Sequence, residues 1–243
     1  MENKIWGNYR KSIVQGDEEF YISLHEKDME VVSQRISNCV DHDVVKKCVD
    51  VGCGPGELLS KLKSKLHDNV EFIGVDISAS QIEEAKLRYS DIEFYLQDGS
   101  DFLETLPDNS ISLITCVDVL EHLSLPDLLR MAGTAKAKLK PGGYMFIRVP
   151  NGIAPMNPIV YGDLTHQRAY TPQSLNQLAQ MSGLEVLQID GQYFEGKSKF
   201  GILRSLIMKF ILYPIISLIL IALYGNRCGR HYSANLYAVF AKR

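Results

Sequence analysis

Apolar and amphipathic segments alternate along most of the chain. Short runs rich in β-branched residues predict buried strands, and the stretches between them carry apolar residues at helical spacing. Seven runs are interpreted as strands with their following turns: Val49–Gly56, Val70–Ser78, Ile92–Phe102, Ile111–Leu123, Leu139–Asn151, Leu184–Phe194 and Asn235–Arg243. This alternation predicts an α/β domain built on a mostly parallel sheet.

The first 45 residues have no strand pattern. Trp6 and Tyr9 lie among charged residues, and apolar residues after Asp28 recur at helical spacing. Those residues are Met29, Val32, Ile36 and Val40. The pattern predicts a helical leader over 1–45, followed by a core over 46–195.

One apolar segment does not fit this alternation. The fifteen residues Phe210–Tyr224 carry no charge, and basic residues flank them on both sides. As a helix they would rise about 23 Å, less than the roughly 30 Å of a bilayer core. A single crossing would also place Asn235–Arg243 on the wrong side of the membrane to complete the sheet.

Two interpretations of this insertion, residues 196–234, therefore stay open. The first is an in-plane or re-entrant pair of membrane helices broken at Pro214, with the basic flanks near anionic headgroups. The second is an apolar helix buried in a homodimer or against the domain. In both cases residues 235–243 return as the last strand of the core.

Composition narrows the functional classes. The 243 residues are 46% hydrophobic, which suffices for one core. The net charge of −3 and the interspersed charges show no basic face, so no nucleic-acid partner is expected. The five cysteines form no C-x-x-C pair and are predicted to be reduced, and no metal is expected. Residues 1–16 are too polar for a signal peptide, which predicts a cytosolic domain.

The strongest chemical signal is a glycine turn after the first strand. In VDVGCGPG, the residues Gly52, Gly54 and Gly56 let the backbone turn sharply and let a ligand approach it closely. A nicotinamide dinucleotide site would show G-x-G-x-x-G instead. The turn resembles the first motif of class I S-adenosylmethionine (SAM)-dependent methyltransferases, (V/L)(D/E)xGCGxG. Further segments up to Asn151 resemble that family in the same order.

The resemblance implies a Rossmann-like, doubly wound, seven-stranded sheet, mostly parallel with an antiparallel last strand and with helices on both faces. It also implies that the leader covers the SAM cleft as a lid, where Trp6 and Tyr9 either pack the helix onto the domain or contact the cleft. The implied cofactor is SAM, and the implied contacts are Asp50, Gly52, Gly54, Gly56, Asp76, Ile77, Asp98, Gly99 and Asp118.

Within that set, Asp50 and the glycine turn would hold the methionine end of SAM. Asp76, at the tip of the second strand, would accept hydrogen bonds from the ribose diol, while Ile77 packs on the adenine face. Asp98 would accept from the adenine amino group, and the Gly99 backbone N–H would meet the ring.

The acceptor loop over 150–172 carries the candidate catalytic groups. GDLTHQRAYTPQSL resembles a segment of methyltransferases that act on small molecules, sugars or lipid-linked acceptors. A hydroxyl acceptor must lose its proton, so a nearby histidine is the suitable base. His166 is the predicted base with Asp163 to orient it. His122 would contact methionine or the acceptor, and Arg168 would hold an anionic group or pair with Asp163.

These observations predict a SAM-dependent methyltransferase on the cytosolic face of a membrane. Its acceptor would be a lipid-linked glycan or an isoprenoid or quinone-type molecule, methylated on oxygen. Three alternatives stay open: a non-catalytic SAM-binding or scaffold protein, a methyltransferase for a soluble small molecule with the apolar segment as dimer interface, and a nicotinamide oxidoreductase.

Overall fold

The computed structural model describes residues 18–192, 199–225 and 231–243. Trp6 and Tyr9 lie outside these residues. The strands are β1 Lys47–Val51, β2 Glu71–Asp76, β3 Glu93–Leu96, β4 Ile111–Val117, β5 Leu139–Pro150, β6 Glu185–Gly191 and β7 Asn235–Ala241. The helices are α1 Glu18–Cys39, α2 Glu57–Lys63, α3 Ala79–Arg88, α4 Gly99–Thr105, α5 Leu125–Lys138, α6 Pro158–Tyr161, α7 Pro172–Ser182, α8 Lys199–Ile207 and α9 Tyr213–Tyr224.

The seven strands form one sheet in the order β3-β2-β1-β4-β5-β7-β6. β7 runs antiparallel between β5 and β6, and the other pairings are parallel. This confirms the predicted sheet with its antiparallel last strand. The carboxyl ends of β1, β2, β3, β4, β5 and β6 therefore lie at one edge, where ligands bind in open α/β sheets.

Helices cover both faces of the sheet. Because side chains alternate along a strand, Val49 and Val51 pack on one face with α4, α5 and α7. Cys48 lies on the other face with α1, α2 and α3. The helical spacing of Met29, Val32 and Ile36 is confirmed, since all three are buried in α1, although α1 begins well before Asp28.

Local signals explain several element boundaries. Thr171 and Ser174 form a capping box at the start of α7, Pro172 occupies its first turn, and Gly183 ends it at φ +68°. The segment Pro141-Gly142-Gly143 forms a bulge inside β5, where Gly142 has φ +79°. The free cysteines among the described residues are Cys39, Cys48, Cys53 and Cys116.

The apolar insertion differs from the expectations at two points: it is not broken at Pro214, and its most apolar window is not buried against the domain. α8, a π-helical turn over Met208–Leu212, and α9 follow one another without the break expected at Pro214. A π turn widens the helix just before the proline, which accommodates its missing N–H and bulky ring. Lys199–Leu223 is 25 residues long and apolar enough to cross a membrane, and its most apolar 18-residue window is unburied. Within the described residues it therefore does not pack as a core helix of the domain.

Candidate active site

A cavity of about 1170 Å³ opens at the carboxyl edge of the sheet. Its walls come from the ends of β1, β2 and β4, from the start of α4, from α1, and from the acceptor loop. The predicted site residues that line it are Asp50, Gly52, Gly54, Asp76, Ile77, Asp98, Gly99, Asp118, His122, Asp163 and His166. The structure thus brings together residues from across the chain. Of the predicted set, Gly56 does not line the cavity.

The three turn glycines have left-handed backbones but different surroundings. A Cβ on Gly52 would lie 2.3 Å from Val119 Cγ2, and one on Gly56 would lie 2.8 Å from Phe94 Cζ. These two glycines are therefore required by packing. A Cβ on Gly54, with φ +52°, would meet only Gln81 Oε1 at 3.6 Å. Gly54 is the position where the backbone faces open space that a ligand can fill.

Asp50 is a buried carboxyl in the wall of the cavity. It is 2% exposed, and Thr115 Oγ1 donates a 2.6 Å hydrogen bond to its Oδ1. Burial raises the pKa of Asp50 to about 7, against the opposing effect of the Thr115 bond. A cationic ligand group beside it would stabilise the ionised form, and the ammonium group of SAM is such a group.

Asp76 and Asp98 are held by backbone amides. Gly54 N donates to Asp76 Oδ2 at 2.9 Å and Ser78 N donates to Oδ1 at 2.8 Å. Burial still raises the pKa of Asp76. Asp98 caps α4 through bonds to Ser100 N and Asp101 N. Since each carboxylate oxygen can accept more than one hydrogen bond, both groups can also bind ligand hydroxyl or amino groups.

Asp118 belongs to an ion-pair network that the sequence did not reveal. Arg148 Nε donates to Asp118 Oδ1 at 2.9 Å, its Nη2 donates to Asp118 Oδ2, and its Nη1 donates to Asp28 Oδ2 at 2.5 Å. The Arg148 side chain is 3% exposed, and these carboxylates raise its pKa despite burial. Asp28 is on α1, so the network joins that helix to the cavity wall. Ile22 and Met29, also on α1, line the cavity.

The two cavity histidines lie edge to face, with ring centroids 4.8 Å apart. His166 Nδ1 is 3.2 Å from the Val160 carbonyl, which can only accept, so in the neutral ring Nδ1 carries the proton. His166 Nε2 lies 3.8 Å from Asp163 Oδ2. In that tautomer Nε2 has the free lone pair, and it is the nitrogen that faces the Asp163 carboxylate.

Thr165 links the second histidine to the same carboxylate. Its Oγ1 donates to Asp163 Oδ1 at 2.6 Å and lies 2.9 Å from His122 Nδ1. Burial lowers the pKa of His122, and the neighbouring His166 lowers it further. His122 is therefore suited to contact a substrate as a neutral ring. No sequence signal singles out Thr165, because a threonine in a loop has no distinctive pattern.

Glu121 adds an unexpected feature beside the histidines. Its carboxyl is 1% exposed, and burial, with Asp118 nearby, raises its pKa well above the usual value. Its Oε2 accepts no hydrogen bond from the described residues. Glu121, His122 and His166 each offer a ligand atom, all within 4.8 Å of one another. These three side chains could together coordinate a cation. This grouping was not predicted from the sequence.

The fold and the site define a class of protein. A Rossmann-like sheet, a glycine turn with one glycine open to the cavity, and acidic residues at the ends of the next two strands form the site of a class I SAM-dependent methyltransferase. The residues fit the cofactor: Gly54 leaves space against the backbone, and buried Asp50 can meet its ammonium group. The comparisons agree, since a family model described as a methyltransferase domain matches residues 24–189.

The chain belongs to this methyltransferase family. It is 30% identical over 186 residues to a ubiquinone biosynthesis O-methyltransferase of Coxiella burnetii, covering 68% of this chain and 75% of the relative. A protein of the same name from Idiomarina loihiensis is 30% identical over 174 residues, with 65% and 70% coverage. A SAM-dependent methyltransferase structure from Archaeoglobus fulgidus has a TM-score of 0.67 and 23% identity, covering 93% of this chain and all of that one.

Proposed function

We propose that this SAM-dependent methyltransferase methylates a hydroxyl group of a membrane-embedded acceptor at the cytosolic face of a membrane. The observation that carries the proposal is the exposed apolar helix of 25 residues, attached at the same sheet edge as the cavity. The matched part of the family model ends at residue 189, so this helix lies outside the matched region.

His166 is the proposed base of the reaction. SAM supplies a methyl group on a sulfonium centre that is already activated for transfer. The chain has two tasks: to align the acceptor oxygen with that methyl group, which can contribute roughly 7–11 kcal/mol, and to remove the hydroxyl proton. His166 Nε2 takes the proton, with Nδ1 held by the Val160 carbonyl and the Asp163 carboxylate 3.8 Å away.

The proposed acceptor is a phenolic hydroxyl on an isoprenoid ring compound. The relatives' name, ubiquinone biosynthesis O-methyltransferase, supports a quinone-type acceptor. A phenol has a pKa near 10, so a histidine positioned against it can assist its ionisation. The prenyl tail of such a compound lies in the bilayer, and its ring must be presented near the membrane surface. A lipid-linked glycan is the second acceptor class with the same placement.

The attachment of the apolar helix supports contact along a membrane rather than a crossing. The Tyr213 ring, at the middle of the helix, lies 5.8 Å from the ring of Tyr232 in the domain. Asn151 Nδ2 binds the carbonyl of His231, which is six residues after Gly225, so the helix end stays within about 22 Å of that point. A helix of 25 residues is about 38 Å long. Held against the domain at its middle, it fits a position in the plane of the membrane.

The test is methyl transfer to defined acceptors in vesicles. The purified protein, SAM and phosphatidylcholine/phosphatidylglycerol vesicles carrying a prenylated catechol are incubated, and S-adenosylhomocysteine and the acceptor mass are measured. We expect a gain of one methyl group on a catechol oxygen, and faster turnover than with the same catechol lacking its prenyl tail. Transfer only to a lipid-linked glycan would replace the acceptor class. Equal turnover on the tail-less catechol would contradict the role of the membrane.

A further inference from the structure

A second apolar surface lies on the acceptor loop. Residues 152–162 contain no charged side chain. Large apolar side chains project from this region: Met156 is 94% exposed, Tyr161 79%, Leu164 102% and Ile159 44%. A soluble domain gains nothing from exposing four such side chains within nine residues, so this patch indicates a contact with an apolar partner.

The patch lies at the mouth of the cavity. Ile159 and Leu164 belong to the cavity wall together with His166. The charged residue closest in sequence, Asp163, is turned away from solvent, since its side chain is 14% exposed and accepts hydrogen bonds from Thr165. The side of the mouth formed by residues 152–164 thus presents mainly apolar side chains, and a molecule that enters over this loop crosses an apolar rim.

Buried asparagines fasten this loop to the segment that carries the apolar helix. Asn151 Nδ2 donates to the carbonyls of His231 and Ser233, at 2.7 and 2.8 Å. Asn157 Nδ2 donates to the carbonyl of Ala234 at 2.7 Å. Both asparagines are buried, at 0% and 3% exposure. The loop and the returning chain, whose Tyr232 contacts the middle of the helix, therefore form one hydrogen-bonded unit.

Topology places both elements at the same edge of the molecule. Pro150, which precedes the loop, pairs with Asn235 at the start of β7, and Gly191 at the end of β6 pairs with Leu236. The loop leaves the sheet where the helical insertion leaves and returns. A flat apolar partner that meets the helix at this edge can also meet the loop.

We propose that Met156, Ile159, Tyr161 and Leu164 form a second bilayer-contacting surface, through which the lipid acceptor passes from the hydrocarbon region directly into the cavity. This inference rests on the proposed membrane function. A bilayer is the partner that these observations favour, because the patch lacks charges for a specific protein contact and is continuous with the segment holding the apolar helix. The acceptor's polar head can then reach His166 without its tail leaving the lipid.

The test uses single tryptophans as depth reporters. The chain contains one tryptophan, Trp6, so Trp6→Phe provides the background for Tyr161→Trp in the loop. Leu218→Trp, at a site 67% exposed, reports on the apolar helix, and Leu87→Trp, at a site 88% exposed on α3, is the matched control. Each full-length variant is mixed with phosphatidylcholine/phosphatidylglycerol vesicles whose acyl chains carry bromine, which quenches tryptophan on contact.

We expect at least a twofold loss of fluorescence for the tryptophans at 161 and 218, and none for that at 87. Quenching at 218 without quenching at 161 would overturn the second surface and leave the membrane role of the helix standing. No quenching at either position would overturn both proposals. Vesicles without bromine give the reference signal for each variant, and SAM binding shows that each variant is folded.

Discussion

The cavity wall and the apolar helix differ in where their side chains find interaction partners. The polar groups of the wall are hydrogen-bonded within the chain, whereas the apolar side chains of the helix are exposed. In the wall, the carboxyl of Asp50 is bonded by Thr115 and that of Asp76 by two backbone amides. These partners belong to the chain itself, so the wall is fixed before any ligand arrives. The apolar helix has none of its most apolar window buried. Its side chains gain their favourable environment only from outside the described chain.

This difference indicates that the two regions have separate functions. The family model covers the cavity wall but ends before the helix. Fully burying one large apolar side chain contributes roughly 1.5–3 kcal/mol, so even partial immersion of the helix suffices for attachment. If cofactor binding belongs to the wall and attachment belongs to the helix, substitutions in one region should leave the other unaffected.

The largest effect is expected for Gly54→Val. The valine side chain would fill the open space beside the backbone where we expect the methionine end of SAM, so SAM binding should be lost. The positive φ of Gly54 adds strain, and the control must share it. Gly142→Val is that control, because Gly142 has φ +79° and no neighbour within 4 Å of an added Cβ. Calorimetric SAM titration should give no binding for the first variant and normal binding for the second. Intact binding to Gly54→Val would exclude the assigned cofactor site.

The next largest effect is expected for His166→Ala. Loss of the base should lower turnover about 10²–10⁴-fold with SAM affinity nearly unchanged. His67→Ala serves as the control, since that histidine is half exposed and pairs with Asp43 outside the cavity. Steady-state production of S-adenosylhomocysteine measures both. A His166→Ala enzyme that keeps more than a third of the wild-type rate would assign His166 a structural role and turn attention to His122.

The part of the molecule that sequence could predict is the part with local signals. The strands, the glycine turn and the capped start of α7 each follow from a few neighbouring residues. Long-range side-chain pairs leave no such signal. Arg148 and Asp28 are 120 residues apart, and nothing in either segment indicates that a buried arginine would join α1 to Asp118.

The same reasoning explains the two differences at the glycine turn and the insertion. Gly56 has the spacing of a ligand contact, yet its position is set by Phe94, a residue of β3 whose approach no local pattern encodes. Pro214 is a reliable helix breaker by propensity, but a π turn directly before it absorbs the distortion. The role of Gly56 and the continuity of the helix at Pro214 both depend on structure that the adjacent residues in the sequence do not determine.

An effect of roughly tenfold on SAM affinity is expected from a change in pH, because Asp50 titrates. With its pKa near 7 in the ligand-free protein, Asp50 is mostly protonated at pH 6 and mostly ionised at pH 7.5. SAM affinity should therefore rise about eightfold between these values, since the ionised form pairs with the ammonium group. The folded-state pKa lies above that of the unfolded chain, so the ligand-free fold loses this group's stabilisation as pH rises from about 4 to about 7.

The Asp50→Asn variant provides the control for that profile. Asparagine can still accept from Thr115 but does not titrate, so its SAM affinity should be weaker at pH 7.5 and nearly flat with pH. Calorimetry at both pH values measures the difference. A wild-type affinity that does not change over this range would remove Asp50 from the cofactor contacts.

The smallest effect on cofactor binding is expected from removing the apolar helix. Replacing residues 209–224 by a short Gly-Ser linker deletes the exposed segment, while β6 and β7 keep their pairing in the sheet. SAM affinity should stay within about twofold, because no residue of 199–225 lines the cavity and loop-length changes cost little. The same variant should no longer sediment with phosphatidylglycerol-containing vesicles. Wild-type protein should sediment, be released only partly by high salt, which screens its basic flank, and be released fully by detergent. The helix is unburied within the described chain. A variant that unfolds or loses SAM binding would therefore show that a second copy of the protein covers this segment. The exposed helix would then be a dimer interface, and the proposed attachment to lipid would be wrong.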